Sequence, residues 1–83
     1  MKFTNTNYQD QIIKSLITYG ELSGREIWLD ILDRRELSGL KNGFIKKSKI
    51  TYNLGVLIRL KRIRMVRIDL IDYKYTRIYA LNN

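Results

Sequence analysis

Cysteine and histidine are both absent from the 83-residue chain. Without cysteine, no disulfide or thiolate metal site can brace a small core. Without either residue, the commonest acid–base and nucleophilic groups are missing, so no enzyme activity is expected. Neither a phosphate-binding glycine loop nor a zinc-ligand spacing occurs. Asp30 and Asp33 fall three apart within a helical pattern, where paired acids are ordinarily just solvated. Asp69 and Asp72 have opposite strand parity, which argues against a shared metal site. No cofactor, metal or small-molecule ligand is therefore expected. No apolar run approaches membrane-spanning length and no signal-peptide pattern opens the chain, so a cytoplasmic protein without a membrane partner is expected. There is no internal repeat and no low-complexity tract, so residues 1–83 read as one small domain.

Acidic residues are scarce, and unevenly so. Residues 1–33 carry three basic and five acidic side chains, whereas residues 34–83 carry thirteen and three. The net charge of +8 is thus concentrated in one part of the chain. A directed positive field of this kind most often meets nucleic acid. An anionic membrane is a weaker fit, because no segment pairs a long apolar face with a lysine face.

With 45% hydrophobic residues the chain can bury a modest core. Thr6 and Gln9 match a capping box, and a first helix is expected over about Asn7–Tyr19 with Tyr8, Ile12, Ile13, Leu16 and Ile17 inward. Gly20 stands where a left-handed C-terminal cap is needed. Glu21–Ser23 reads as a very short extended segment. Ser23 and Glu26 form a second capping box, with Leu22 and Ile27 at the staple positions, so a second helix is expected over about Gly24–Arg35. Ile27, Trp28, Ile31 and Leu32 are its core contacts, with Trp28 an anchor within the apolar stripe. Leu37–Lys47 contains Gly39, Asn42 and Gly43 and reads as a loop, pinned by Leu40, Phe44 and Ile45.

The stretch KKSKITYNLGVLIRLKRIRMVR, Lys46–Arg67, organises the rest. Ile50, Leu54, Leu57 and Ile58 make one apolar stripe at about 100° per residue. The opposite face carries Ser48, Tyr52, Gly55, Arg59 and Arg62, so a third helix is expected over about 48–62 with Ser48 as its cap. Lys46, Lys47 and Lys49 crowd its start, where the helix dipole favours anions. An anionic ligand such as phosphate answers that conflict. The pattern then changes period. Met65–Asp72 alternates with Val66, Ile68 and Leu70 on one side. Tyr75–Leu81 alternates with Tyr75, Tyr79 and Leu81 on one side and Arg77 at the same parity. Asp72, Tyr73 and Lys74 join the two strands without a glycine.

Helix, short strand, helix, helix and hairpin is the order of the winged helix-turn-helix. The run LIRLKRIRMVRI followed by TRIYAL resembles the end of the recognition helix and the wing in the MarR, ArsR and PadR regulator families, through Leu60, Met65 with Val66, and Tyr79 with Leu81. GELSGREI is similar to the start of their second helix. The chain departs from them in a longer loop before the third helix and in Arg64, where many relatives have glycine. It is also similar to small winged-helix proteins of archaeal viruses and plasmids that end with the wing. The resemblance implies an α+β, mainly α, fold of three helices followed by a two-stranded β-hairpin wing over 65–82. It implies sequence-specific binding of double-stranded DNA in transcriptional control. A homodimer is expected as well, because paired half-sites multiply affinity, with its contact on the first helix and its tyrosines.

The residues expected at DNA are Lys46, Lys47, Ser48, Lys49, Thr51, Tyr52, Asn53, Gly55, Arg59 and Arg62 on the helix, and Lys74 and Arg77 on the wing. Arg59 is suited to guanine and Tyr52 to a thymine methyl or a phosphate, while the lysines position the protein on phosphates. Two other readings remain open at this level: a winged helix that meets an acidic protein, and a nonspecific nucleic-acid-coating protein.

Overall fold

The computed structural model describes residues 7–37 and 45–82. They run α1 (Asn7–Tyr19), β1 (Glu21–Ser23), α2 (Gly24–Leu37), α3 (Lys47–Arg59), β2 (Ile63–Ile71) and β3 (Lys74–Leu81). The class is α+β. Three helices pack with a three-stranded antiparallel sheet of order β1-β3-β2. The sheet is thus one strand wider than a bare hairpin, because Glu21–Ser23 pairs along β3 from Ala80 to Ile78. Thr6, Leu40 and Phe44 lie outside the described residues.

Local chemistry sets the boundaries. Gly20 takes φ +85 and donates its N–H to the Leu16 carbonyl at 2.8 Å, which ends α1. The Ser23 N–H donates to Glu26 Oε1 at 2.8 Å and the Glu26 N–H to Ser23 Oγ at 3.2 Å, a reciprocal box that starts α2. Leu22 and Ile27, on either side of it, are both buried. The third helix is shorter than expected. Its cap is Lys46, with no side-chain cap bond, and Ser48 is already inside the helix and exposed. It stops at Arg59, not at 62, because Lys61 enters the left-handed region at φ 59. The Lys61 N–H then donates to Ile58 O at 2.9 Å and the Arg62 N–H to Leu57 O at 3.0 Å. These are the two bonds of a Schellman ending, here built on a lysine.

The core joins all three helices to the base of the sheet. Ile12, Leu16, Leu22, Ile27, Ile31, Ile45, Ile50, Leu54, Leu57 and Ile63 are buried together. Tyr8, Ile13, Trp28, Leu32, Tyr79 and Leu81 pack around them. Trp28 anchors as expected, and its indole N–H donates to the Ile45 carbonyl just ahead of α3. Ile50, Leu54 and Leu57 hold α3 from below. Truncating such a residue to alanine ordinarily costs about 2–5 kcal/mol, so the outward face of α3 is firmly oriented.

Two inward expectations fail. Ile17 is 67% exposed, because Ser15, with Ile12 and Leu16, takes the inward face of α1. Ile58, one step round from Leu57, is 40% exposed. Asp30 also departs from the solvated reading. It accepts a hydrogen bond from the fully buried Ser15 at 2.6 Å and pairs with Arg34 at 3.4 Å, while Asp33 is exposed.

The strands depart most. A β-bulge between Met65 and Arg67 shifts the register, so that Met65 faces Tyr79 and Arg67 faces Ile78. Ile68 and Leu70 thereby leave the parity of Val66 and join the sheet face of Ile63 and Met65. They gain no cover there, being 51% and 62% exposed. On β3 the buried side chains are Ile78 and Ala80, not Tyr75, which is 82% exposed. Tyr79 and Leu81 pack on the core from the opposite parity, so the base of the sheet is covered on both faces. The connecting turn is Asp72–Tyr73, with φ 50 and 64. Positive φ at both central positions is what the tight hairpin turn demands.

Candidate nucleic-acid interface

The outward side of α3 is where the charge expectation meets the fold. Lys46, Lys47, Ser48, Lys49, Thr51, Tyr52, Gly55, Arg59 and Arg62 are all exposed. Ser48, Tyr52, Gly55 and Arg59 recur at helical spacing and so share one strip. Tyr52 is 66% exposed. Gly55 sits in the middle of that strip, and an added Cβ there would meet nothing within 4 Å. Packing against the body therefore does not account for the glycine, which costs a helix interior about 1 kcal/mol relative to alanine.

Among the described residues none of these cations has an acidic partner. Among the described residues the ion pairs involve only Arg34 and Arg67 as cations. The start of α3 has no acid in its first turn and three lysines around it, Lys46, Lys47 and Lys49. Its leading N–H groups and the positive end of its dipole point the same way as that charge.

Lys74 and Arg77 stand on β3, across an open cleft of about 950 Å³ between α3, the start of α2 and the hairpin. Lys47 and Thr51 line the cleft from the α3 side. The charged lining is Arg25, Lys47, Lys74 and Arg77 against Glu26 and Asp72. Glu26 is already committed to the Ser23 cap, which leaves the cleft predominantly cationic. Tyr75 adds an exposed ring to the same wall.

Not all expected residues converge. Asn53 is half-buried and turned toward α1, where its amide accepts from Gln9 at 3.4 Å and donates to the Lys49 carbonyl at 2.8 Å. It braces α1 against α3. Thr51 donates its hydroxyl to the Lys47 carbonyl at 3.2 Å. Arg62 lies past the helix end, with its carbonyl accepting from the Asn82 N–H at 3.0 Å, so it is off the strip. Arg25 and Tyr75 were not foreseen. Arg25 reaches the cleft because β1 pairs with β3 and so brings the start of α2 beside the hairpin. That pairing is long-range, and no local pattern around Arg25 announces it.

Among the described residues no helix is long and apolar enough to cross a membrane, and no group of three or more acidic side chains is placed to hold a metal ion. Compared with protein-family models, with curated proteins and with solved structures, the chain matches none.

Proposed function

We propose that the protein is a winged helix-turn-helix that binds double-stranded DNA sequence-specifically in transcriptional control. In this reading α3 enters the major groove and the β2–β3 hairpin is the wing on the adjacent backbone or minor groove. The observation that carries it is the outward side of α3, where exposed cations with no ion pair among the described residues accompany a mid-helix glycine that no packing contact requires. Phosphates supply the missing anions, and a close approach of DNA gives the bare backbone at Gly55 a purpose. Arg59 and Tyr52 face base edges, whereas Lys46, Lys47, Lys49, Arg25, Lys74 and Arg77 meet phosphates.

A gel-shift series against salt tests it. With these six cations on phosphates, log K falls against log salt with a slope of about −5. No duplex binding at low salt removes the reading, and equal binding to every duplex after selection from random sequences removes its sequence-specific part. A homodimer on a two-fold site belongs to the same reading, with Ile17 and Tyr19 exposed on α1 as the contact. Sedimentation as a monomer, both free and on DNA, removes that part.

A further inference from the structure

The hairpin extends beyond what the core can use. Toward the turn, the last buried residue of β3 is Ile78. Past it run the rungs Ile68–Arg77, Asp69–Thr76, Leu70–Tyr75 and Ile71–Lys74. At about 3.4 Å per residue, these four carry the hairpin about 14 Å further. None of their side chains is buried. A two-stranded ribbon without a covered face is marginal in water. The turn adds to the difficulty, because Tyr73 is 98% exposed and held at φ 64, a region that L residues other than asparagine and aspartate seldom occupy. No burial compensates this segment.

Three of its five exposed apolar or aromatic groups share a face, with Ile71 on the opposite one and Tyr73 in the turn. The register puts Ile68, Leu70 and Tyr75 on one face, with Leu70 and Tyr75 directly opposite one another. That face continues from Ile63, Leu22 and Tyr79 at the core, so it looks toward α3. Ile68 and Tyr75 line the cleft with Lys47 and Arg77. An apolar face flanked by free cations fits a surface that is itself apolar between two rows of negative charge. The minor groove, with sugar walls and base edges between phosphate rails, is such a surface.

Resting on the duplex reading above, we propose that this face is a minor-groove wedge, with Leu70 and Tyr75 pressing between the rails and bending the duplex toward α3. Arg77, on this face, and Lys74, at the turn end of the opposite one, hold the flanking phosphates. Asp72 at the turn is repelled by those phosphates, which leaves the flat face, not the tip, to make the contact. Apolar side chains inserted from this groove partly unstack a base step and kink the helix toward the major groove, where α3 lies. A second copy of the chain is disfavoured on the same face, because two-fold pairing would bring the cations flanking it toward their counterparts.

Ligase-catalysed ring closure tests the wedge. Duplex fragments of about 120 bp are shorter than the persistence length of about 150 bp and close poorly unless bent. At low salt, where binding does not depend on sequence, the protein is expected to raise the yield of single-fragment circles at least about tenfold. The variant Leu70→Thr/Tyr75→Thr keeps β-forming residues at exposed positions, and an unchanged thermal melt shows that it folds. It is expected to return circle yield to near the protein-free level at concentrations where the gel shift shows the fragment fully bound. If the double variant melts early, the two single substitutions are expected each to lower the yield. Binding without faster closure, or equal closure by wild type and folded variant, overturns the wedge and leaves duplex binding standing. A variant that loses a dimer in sedimentation but still bends DNA assigns the face to a second copy, which also overturns it. Absence of any gel shift overturns the duplex reading and the wedge together.

Discussion

Arg67 of β2 and Glu21 of β1 are joined by an ion pair that passes over the strand between them. Arg67 lies opposite Ile78 and Glu21 opposite Ala80, so the guanidinium arm crosses β3 diagonally above these two buried side chains. Arg67 also pairs with Asp69 at 2.9 Å. The bulge at Met65/Arg67 makes this possible, because unbroken alternation would place Arg67 on the core face. The arginine pKa is raised, first by the hydrogen bond to Glu21 and then by that to Asp69.

The charge is half-exposed and screened, so its own contribution is small. The sign is clear, however. A cation with a raised folded pKa contributes stability that is present below its unfolded pKa and lost only as pH climbs through the folded one, far above neutrality. The methylene stem over Ile78 and Ala80 is expected to matter more. Arg67→Ala should speed amide exchange along the β1–β3 pairing, while Arg67→Met, which keeps the stem, should retain most of the protection. Similar exchange rates for the two variants would show that the arm does not cover the sheet.

Lys61 bears the left-handed ending of α3 at φ 59. An L residue there costs roughly 1–2 kcal/mol, and glycine avoids that cost while giving back part of it in unfolded-chain entropy. Lys61→Gly is therefore expected to stabilise the fold by about 0.5–1 kcal/mol in urea melts. Destabilisation would mean that the lysine side chain makes a contribution its exposed position does not suggest.

The helices were legible because their signals are local. Ser23 and Glu26 announce α2 three residues apart, and Gly20 announces the end of α1. The end of α3 was not legible, because the left-handed residue is a lysine where glycine is the usual sign. Nor was the outer face of the sheet. One bulge reverses the parity of every residue after it, and alternation in the sequence does not reveal where an extra residue sits. For the site, the α3 strip could be read from helical spacing alone. Arg25 and the inward turn of Asn53 depend on pairings across the fold, β1 with β3 and α1 with α3.

Ser15 illustrates the same limit inside the core. It is fully buried, donates to Asp30 at 2.6 Å and accepts from Arg34 at 2.7 Å. Burial lowers the Arg34 pKa, with Asp30 and Tyr19 acting the other way. Ser15→Ala takes away the hydroxyl between the two charges and is expected to cost about 1–3 kcal/mol in urea melts. A loss under about 0.5 kcal/mol, typical of surface changes, would show that the Asp30–Arg34 pair suffices alone.

Gly55 offers a test in which fold and function move oppositely. An alanine methyl meets no neighbour within 4 Å, so Gly55→Ala should raise stability by up to about 1 kcal/mol. If DNA lies against the bare backbone, the same methyl should weaken duplex binding about tenfold. A variant that is more stable and binds equally well would leave the glycine without a role at the interface.

Under the proposed duplex binding, Arg59 and Lys47 should separate reading from positioning. Both are exposed and without an ion pair among the described residues, but Arg59 shares the Tyr52–Gly55 strip and Lys47 lines the cleft with Arg77. A guanidinium on the strip can present two donors to one guanine, which is worth about 1–3 kcal/mol of discrimination. An ammonium in the cleft neutralises a phosphate whatever the base. Arg59→Ala should therefore weaken a selected site by about 5–150-fold while leaving random duplex much less affected. Lys47→Ala should weaken both by the same factor and reduce the salt slope by about 1. Equal ratios of selected to random affinity in the two variants would place the base contact elsewhere on α3. A larger loss of discrimination at Lys47 than at Arg59 would move it from the outer strip into the cleft.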